Sequence, residues 1–487
     1  MSENQTTAPA AVGGIGARAM TASFTRRTAL GVMATVAGGM LVPWSAMSAA
    51  AVDSSGAQSR ELYFRALPDS HHGQPGVHEG EEIRLQIALC NTNLQSTGFY
   101  LPANTPLQIQ VQELTAPNAT LVVGAPDSDA RPEFKKPREY ALSAGKNTIT
   151  DAGGGVLYFK VIGDAGHVRA VITGDAQRMP YFIHGRTGES QFQTQLDEWL
   201  TPYVEFVSAH AIVTVERASA LKFRTEDHAA LMDTFEDIIA IEDATSGYDG
   251  SAPEHARQAH PYHFVGFPNA ITGVGAYATH GHMSFPPPIQ DRLLTVEGVR
   301  MRGWGLYHEL GHQHQQMVYK PTSLTEVTVN VYSLAVNAAF AVKYGQMPRL
   351  FTPDAKTGVT PWDSAIPKIG TPGAVYGKTF DAYERLVMFE QLRLGFPGFW
   401  PRLHKMVRTE RPWKGDWADE AYRLRMLVIW FSKAAGADLS EYFLKWGFVV
   451  DDEARAQIAA AGLTPPSFDP SEIRDDAQRD LAERLQS

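Results

Sequence analysis

His308 and His312 stand four residues apart in YHELGHQHQQ (residues 307–316), with Glu309 directly after the first histidine. On a helix both imidazoles leave the same face and can chelate one cation. Glu309 lies beside them, within reach of a water on that cation without being a ligand. In this His-Glu-x-x-His arrangement zinc takes two histidines, a third protein ligand and water, while the glutamate serves as general base. The competing explanation is a polar patch on a half-buried helix. It accounts well for His314 and for the glutamines at 313, 315 and 316, and His314, two residues off the chelating face, is not expected to be a ligand. It is a poor joint explanation for His308, Glu309, His312 and the distant glutamate that follows.

Two histidines do not complete a site. In TSLTEVTVNVYSLAV (residues 322–336) Glu326 follows after a break at Pro321, with Thr325 or Ser323 available to start a second helix. Two antiparallel helices would then point His308, His312 and Glu326 at a common ion and leave one tetrahedral position for water. Asn330, four residues after Glu326, is placed to orient a ligand histidine. Gly311 costs about 1 kcal/mol relative to Ala inside a helix, which close approach of the two helices can offset.

The elements that must position these residues change in texture along the chain. From about Glu61 to Ile183, EEIRLQIALC, TPLQIQVQEL, VLYFKVIG and HVRAVITG alternate apolar and polar residues and predict strands of a β-sandwich. GRTGES near Gly185 predicts a turn or linker. After about Gln191 short strands mix with helices, and TEDHAALMDTFEDIIAIEDA predicts an amphipathic helix with Thr225 as N-cap. Past residue 300 helical periods dominate, through DAYERLVMFEQLRLGF, GFWPRLHKMVRTE, DEAYRLRMLVIWFSKAAG and LSEYFLKWGF. The expected fold class is therefore α+β and multidomain. The boundaries read as a leader at 1–51, a β-sandwich at 60–188, a catalytic domain with a mainly helical C-terminal part at 190–450, and a polar, helical tail at 451–487.

At the N-terminus, Arg26 and Arg27 precede an apolar stretch from Thr28 to Met47, and small residues follow. That layout is a signal peptide of twin-arginine type, so the expected location is exported, periplasmic or extracellular. Pro43 and the Gly/Ala-rich composition make the stretch a poor spanning helix, so no stable membrane span is expected after leader removal. A net charge of −10 with no basic run after the leader argues against a nucleic-acid partner. Cys90 is the sole cysteine of 487 residues, which excludes an intramolecular disulfide, and its apolar run predicts a buried small hydrophobe.

The motif HELGHQHQ from His308, preceded by GWGLYH, resembles the catalytic helix of the enhancin-like and mucin-degrading gluzincin metallopeptidases, His-Glu-x-Gly-His-x-x-Gln. EVTVNVYSL from Glu326 is similar to that family's glutamate helix, RLRMLVIWFSKAAGADLSEYFLKWGF from Arg423 to its closing helices, and TGFYLPANTPLQIQVQE from Thr97 to its strand-rich preceding domain. The resemblance spans roughly residues 60–450. It implies one Zn(2+) per chain held by His308, His312 and Glu326, Glu309 as base and proton shuttle, and a protein or glycoprotein substrate of mucin type.

An oxyanion stabiliser is needed, and Tyr376, Tyr383 and His404 are candidates by residue type. His280 and His282 in GAYATHGHMSFPPPIQ fall on a strand expected to line the cleft, where polar surface is the blander reading. In TGFY, Phe99 and Tyr100 point to opposite faces, so the sandwich offers no clear aromatic platform for glycans. The alternatives to an exported endopeptidase are a non-catalytic glycan-binding adhesin on the same scaffold and a zinc enzyme acting on small peptides or cell-wall fragments.

Overall fold

The computed structural model describes residues 60–67, 77–268, 275–413 and 419–486; the expected leader lies outside them. Two sheets open the chain. Strands Glu61–Arg65, His167–Gly174, Pro106–Leu114 and Gly145–Thr150 form the first in that spatial order. Arg138–Ala141, Asn118–Val123, Gly155–Ile162, Gln95–Leu101 and Gln177–Arg178 form the second. Alternate residues of both, among them Phe64, Ile109 and Val168 from one and Phe99, Leu121 and Phe159 from the other, interdigitate as one core. Phe99 is fully buried, whereas Tyr100 packs against Tyr203.

The outer face of the second sheet is also covered. Val122, Val156 and Tyr158 pack against Tyr181, Val265 and Phe267, so that strand Gly155–Ile162 is buried on both faces with Lys160 alone half-buried, and not on one face as the expected alternation implied. Tyr181 and Val265 lie in strands, and Phe267 directly follows a strand, of a mixed six-stranded sheet, ordered Tyr181–Ile183, Tyr203–Val207, Ala211–Glu216, Tyr262–Gly266, His282–Ser284 and Tyr277–Thr279. GRTGES is a turn, with Gly185 at φ +72°, that leads into helix Glu189–Glu198. This helix crosses over between the parallel strands Tyr181–Ile183 and Tyr203–Val207.

On the far face of the mixed sheet lie helix His228–Thr245 and helix Trp304–His312, whose Leu231, Phe235, Leu306, Tyr307 and Leu310 meet Phe206, Val213 and Phe264. Helices Glu384–Gly395, Phe399–Glu410, Glu420–Ala435 and Ser440–Lys445 then enclose a separate aromatic-rich core around Trp362, Phe431 and Trp446. The fold is thus α+β, an N-terminal β-sandwich followed by a mixed domain with a helical C-terminal part. Among the described residues no helix is long and apolar enough to cross a membrane.

Three local expectations are corrected. EEIRLQIALC begins as helix Val77–Leu85, and only Ile87 makes a β-bridge, to Gln316. Arg84 drives this by pairing with Glu81 one turn earlier and donating to the carbonyls of Pro253 and Ala256 at 2.8 and 2.9 Å. Helix His228–Thr245 is capped by Asp227, which accepts from the Ala230 amide at 2.9 Å, and not by Thr225. Neither Thr325 nor Ser323 caps the glutamate helix; the Glu420 carboxylate, arriving from the C-terminal core, accepts from the amides of Thr322 and Ser323.

Candidate metal centre

Helix Trp304–His312 crosses a second helical run, Thr325–Thr328 continued by Asn330–Tyr344, at Gly311. A Cβ at this glycine would lie 3.1 Å from Tyr332 Cβ and 3.1 Å from Val329 Cγ2, so the missing side chain permits the close approach. Tyr332 cannot swing aside freely, because its buried hydroxyl donates to the His314 carbonyl at 2.9 Å.

This contact brings three distant side chains together. One donor atom each of His308, His312 and Glu326 lies within 4.8 Å of the others. Glu326 Oε2 is 2.9 Å from His308 Nε2 and 3.4 Å from His312 Nε2. The imidazole rings are nearly perpendicular, with centroids 4.8 Å apart. Glu326 is 70 % exposed, which opens the cluster to solvent on its side.

The hydrogen bonds behind the rings assign their tautomers. The Asn330 amide nitrogen donates to the Glu326 carbonyl at 2.8 Å, which turns its oxygen to His308 Nδ1 at 3.0 Å. The Gln315 amide nitrogen donates to the Thr325 carbonyl and to Thr328 Oγ1, which turns its oxygen to His312 Nδ1 at 3.1 Å. Each Nδ1 must then carry the proton, and each Nε2 aims a lone pair at a carboxylate oxygen. Three acceptors facing one point are satisfied by a cation there.

The electrostatics agree. Without a cation, a proton on each Nε2 takes its place, and the hydrogen bonds from His308 and then from His312 hold the Glu326 carboxylate well below its ordinary range. Burial disfavours the charged form of His308, yet the Glu326 hydrogen bond and the Glu309 charge outweigh it and raise the ring. Glu309, 8 % exposed, has its carboxyl raised by burial, with the charges of both histidines pulling it back. The backbone of Ala278, on the edge strand Tyr277–Thr279, weakly opposes that rise.

The donor set fits zinc, whose sites combine imidazole and carboxylate and keep one tetrahedral position open when catalytic.

The other candidates fall in different places. His314 is buried, bonded by Ser246 and Tyr262 at 3.0 Å each. His404 is also buried: Nδ1 donates to the Thr245 carbonyl at 2.8 Å, and Nε2 sits 3.2 Å from the Tyr332 hydroxyl. Tyr376 donates to the Arg385 carbonyl at 2.8 Å and packs against Phe380, Trp446 and Phe448. Both are committed to core contacts and offer no donor to the cluster. Tyr383 differs: its ring meets Trp304 edge-on at 6.3 Å, and the Arg349 guanidinium donates to its hydroxyl. Trp304 is one helical turn before His308 on the same face, so Tyr383 packs on the helix face that carries the cluster, one turn away from it. Sequence reasoning missed Gln315, although its place three residues after His312, in the last position of His-Glu-x-Gly-His-x-x-Gln, was a usable signal.

Comparison with known proteins agrees with this architecture. Residues 78–173 match the N-terminal domain of M60-like peptidases. TRPM8 channel-associated factor 3 of Mus musculus is 23 % identical over 387 residues, 76 % of this chain and 40 % of that protein. The chain therefore spans about two fifths of that curated relative. The structure of a functionally unknown conserved protein from Bacillus anthracis str. Ames superposes with a TM-score of 0.73 at 28 % identity, covering 85 % of this chain and 82 % of that one. The M60 catalytic domain of Clostridium perfringens ZmpC, solved in complex with the sialyl T antigen, superposes at 0.68 and 18 % identity, covering 86 % and 82 %. Residues 175–447, more than half of the chain and the stretch that builds the whole cluster, match Peptidase M60, enhancin and enhancin-like, and to that family the chain belongs.

Proposed function

We propose that the protein is an exported zinc-dependent endopeptidase that cleaves glycosylated, mucin-like proteins. The observation that carries this reading is the pair of tautomer-fixed imidazoles aimed with Glu326 at one point, with the buried Glu309 carboxylate beside them. His308, His312 and Glu326 would hold the metal, which when bound supplies Lewis-acid polarisation of the scissile carbonyl and acidifies water. Glu309 takes the proton from the attacking water and delivers it to the leaving amine. Tyr277–Thr279 is the outermost strand of its sheet, and an extended peptide would add along its outer side. Tyr383, backed by Arg349, donates to the developing oxyanion.

The substrate class is supported by structural neighbours solved with the sialyl T antigen and with the Tn antigen. A second reading, a glycoprotein-binding module that does not turn over substrate, draws on the curated relatives, whose names describe channel association. Zinc content and cleavage of a mucin-type glycoprotein, measured for the wild type and Glu309→Gln, separate the two. Cleavage by the wild type that drops ~10²–10⁴-fold in Glu309→Gln at unchanged zinc content is the expected result. Zinc binding with no hydrolysis across glycosylated and bare proteins favours the binding module, and equal cleavage by both proteins removes Glu309 as the base.

A further inference from the structure

Glu82, Cys90 and His280 also converge, outside the His308 cluster, with one donor atom each lying within 4.8 Å of the others. His280 Nδ1 is 3.0 Å from Glu82 Oε1 and 3.8 Å from Cys90 Sγ. Zinc bonds of about 2.3 Å to sulfur and about 2.0–2.2 Å to nitrogen and oxygen set tetrahedral donors roughly 3.4–3.6 Å apart. The two observed separations bracket that range. The donors come from separate parts of the chain: Glu82 from helix Val77–Leu85, Cys90 from the segment after it, and His280 from the turn between strands Tyr277–Thr279 and His282–Ser284. The amide of Gly281 donates to the Cys90 carbonyl at 3.0 Å, which fixes the turn against that segment. Cys90 is buried, whereas the His280 side chain is 48 % exposed and leaves a path for an ion.

We propose that Glu82, Cys90 and His280 form a second metal site, for a divalent transition cation of zinc type, that staples the cleft-edge hairpin to the N-terminal segment. Thiolate, imidazole and carboxylate together select such cations over calcium or magnesium. As the cation binds, the Cys90 thiol releases its proton to solvent and the thiolate becomes the ligand. The staple acts on the strand that borders the first cluster. The Thr279 carbonyl accepts from Gln313, the residue after His312, at 2.7 Å. A cation on His280 therefore restrains the strand that is tied to the end of helix Trp304–His312. Because the two donor sets share no residue, this proposal stands or falls independently of the peptidase reading.

Cys90 is the chain's one cysteine, so a sulfur-to-cobalt charge-transfer band in the near ultraviolet reports on this site alone. The full chain is titrated with cobalt(II). The expected result is a thiolate band that saturates with one cobalt ion per chain at this site and is retained in Glu326→Ala. In Cys90→Ser the band is absent, and in His280→Ala it forms with an affinity reduced by ~10–100-fold or more. Because His280 is half exposed, its replacement leaves the core intact and keeps the test informative should Cys90→Ser fail to fold. Saturation with cobalt that produces no thiolate band in the wild type overturns the site. So does a band of unchanged affinity in His280→Ala.

Discussion

Gln315 presents its side-chain oxygen to His312 Nδ1 at 3.1 Å, and its amide nitrogen is tied to the Thr325 carbonyl at 2.9 Å, so one residue fixes a ring and fastens the neighbouring helix. Asn330 does the same for His308 from the opposite helix. Neither amide reaches the shared point itself.

Gln315→Ala and Asn330→Ala each leave a histidine free to rotate and to change tautomer. Zinc affinity, measured by chelator competition, is expected to fall about 10–100-fold in either variant. Affinity equal to the wild type in both would mean that the rings hold their orientation without these amides.

Gly311→Ala adds a methyl group 3.1 Å from Tyr332 and Val329 in a contact that cannot relax cheaply. Overpacking costs about 1–3 kcal/mol, and the better helix propensity of alanine returns about 1 kcal/mol. Urea denaturation is expected to show a net loss of stability, with weaker zinc retention as the helices separate. A stabilised variant would refute the close-approach account.

Tyr383→Phe deletes the hydroxyl that Arg349 contacts and keeps the ring on Trp304. If this hydroxyl stabilises the oxyanion, kcat falls about 10²–10³-fold with KM little changed. A rise in KM alone would assign Tyr383 to substrate binding.

Glu205 sits fully buried between the sandwich and the mixed sheet, bonded by Ser96, Tyr158 and Thr214. Burial pushes its carboxyl up to about 7, against an ordinary 4.5, with the three hydrogen bonds opposing. The folded protein thus keeps a proton that the unfolded chain releases between those values. Stability from this group is complete below about pH 4.5 and is lost as pH rises to about 7, a difference of about 3 kcal/mol. Glu205→Gln, which mimics the protonated acid, is expected to flatten that decline in a comparison of unfolding free energies at about pH 4 and about pH 8. Parallel curves for the two proteins would show that another group carries the dependence.

The chelating trio was legible because a helix repeats every 3.6 residues, and spacing alone then puts His308 and His312 on one face. Pro321 and the apolar period after Glu326 likewise announce a second helix. What spacing cannot supply is the long-range partner. Nothing in EEIRLQIALC shows that Arg84 will find the carbonyls of Pro253 and Ala256 and hold a helix there. Tyr376 and His404 have the right chemistry for an oxyanion donor, yet aromatic packing with Trp446 and Tyr332 draws them into cores. Gln315 was set aside because a glutamine beside histidines looks like polar surface; only the turn of its amide reveals the role.

The Glu420 carboxylate grips the amides of Thr322 and Ser323 across 98 and 97 positions of sequence. The carboxylate four and three residues downstream of that grip is Glu326. Ending the protein after the helix Asn330–Tyr344 but ahead of Glu420–Ala435 would therefore keep His308, His312 and Glu326 and yet set the third of them adrift, disarming the centre without removing one of its members.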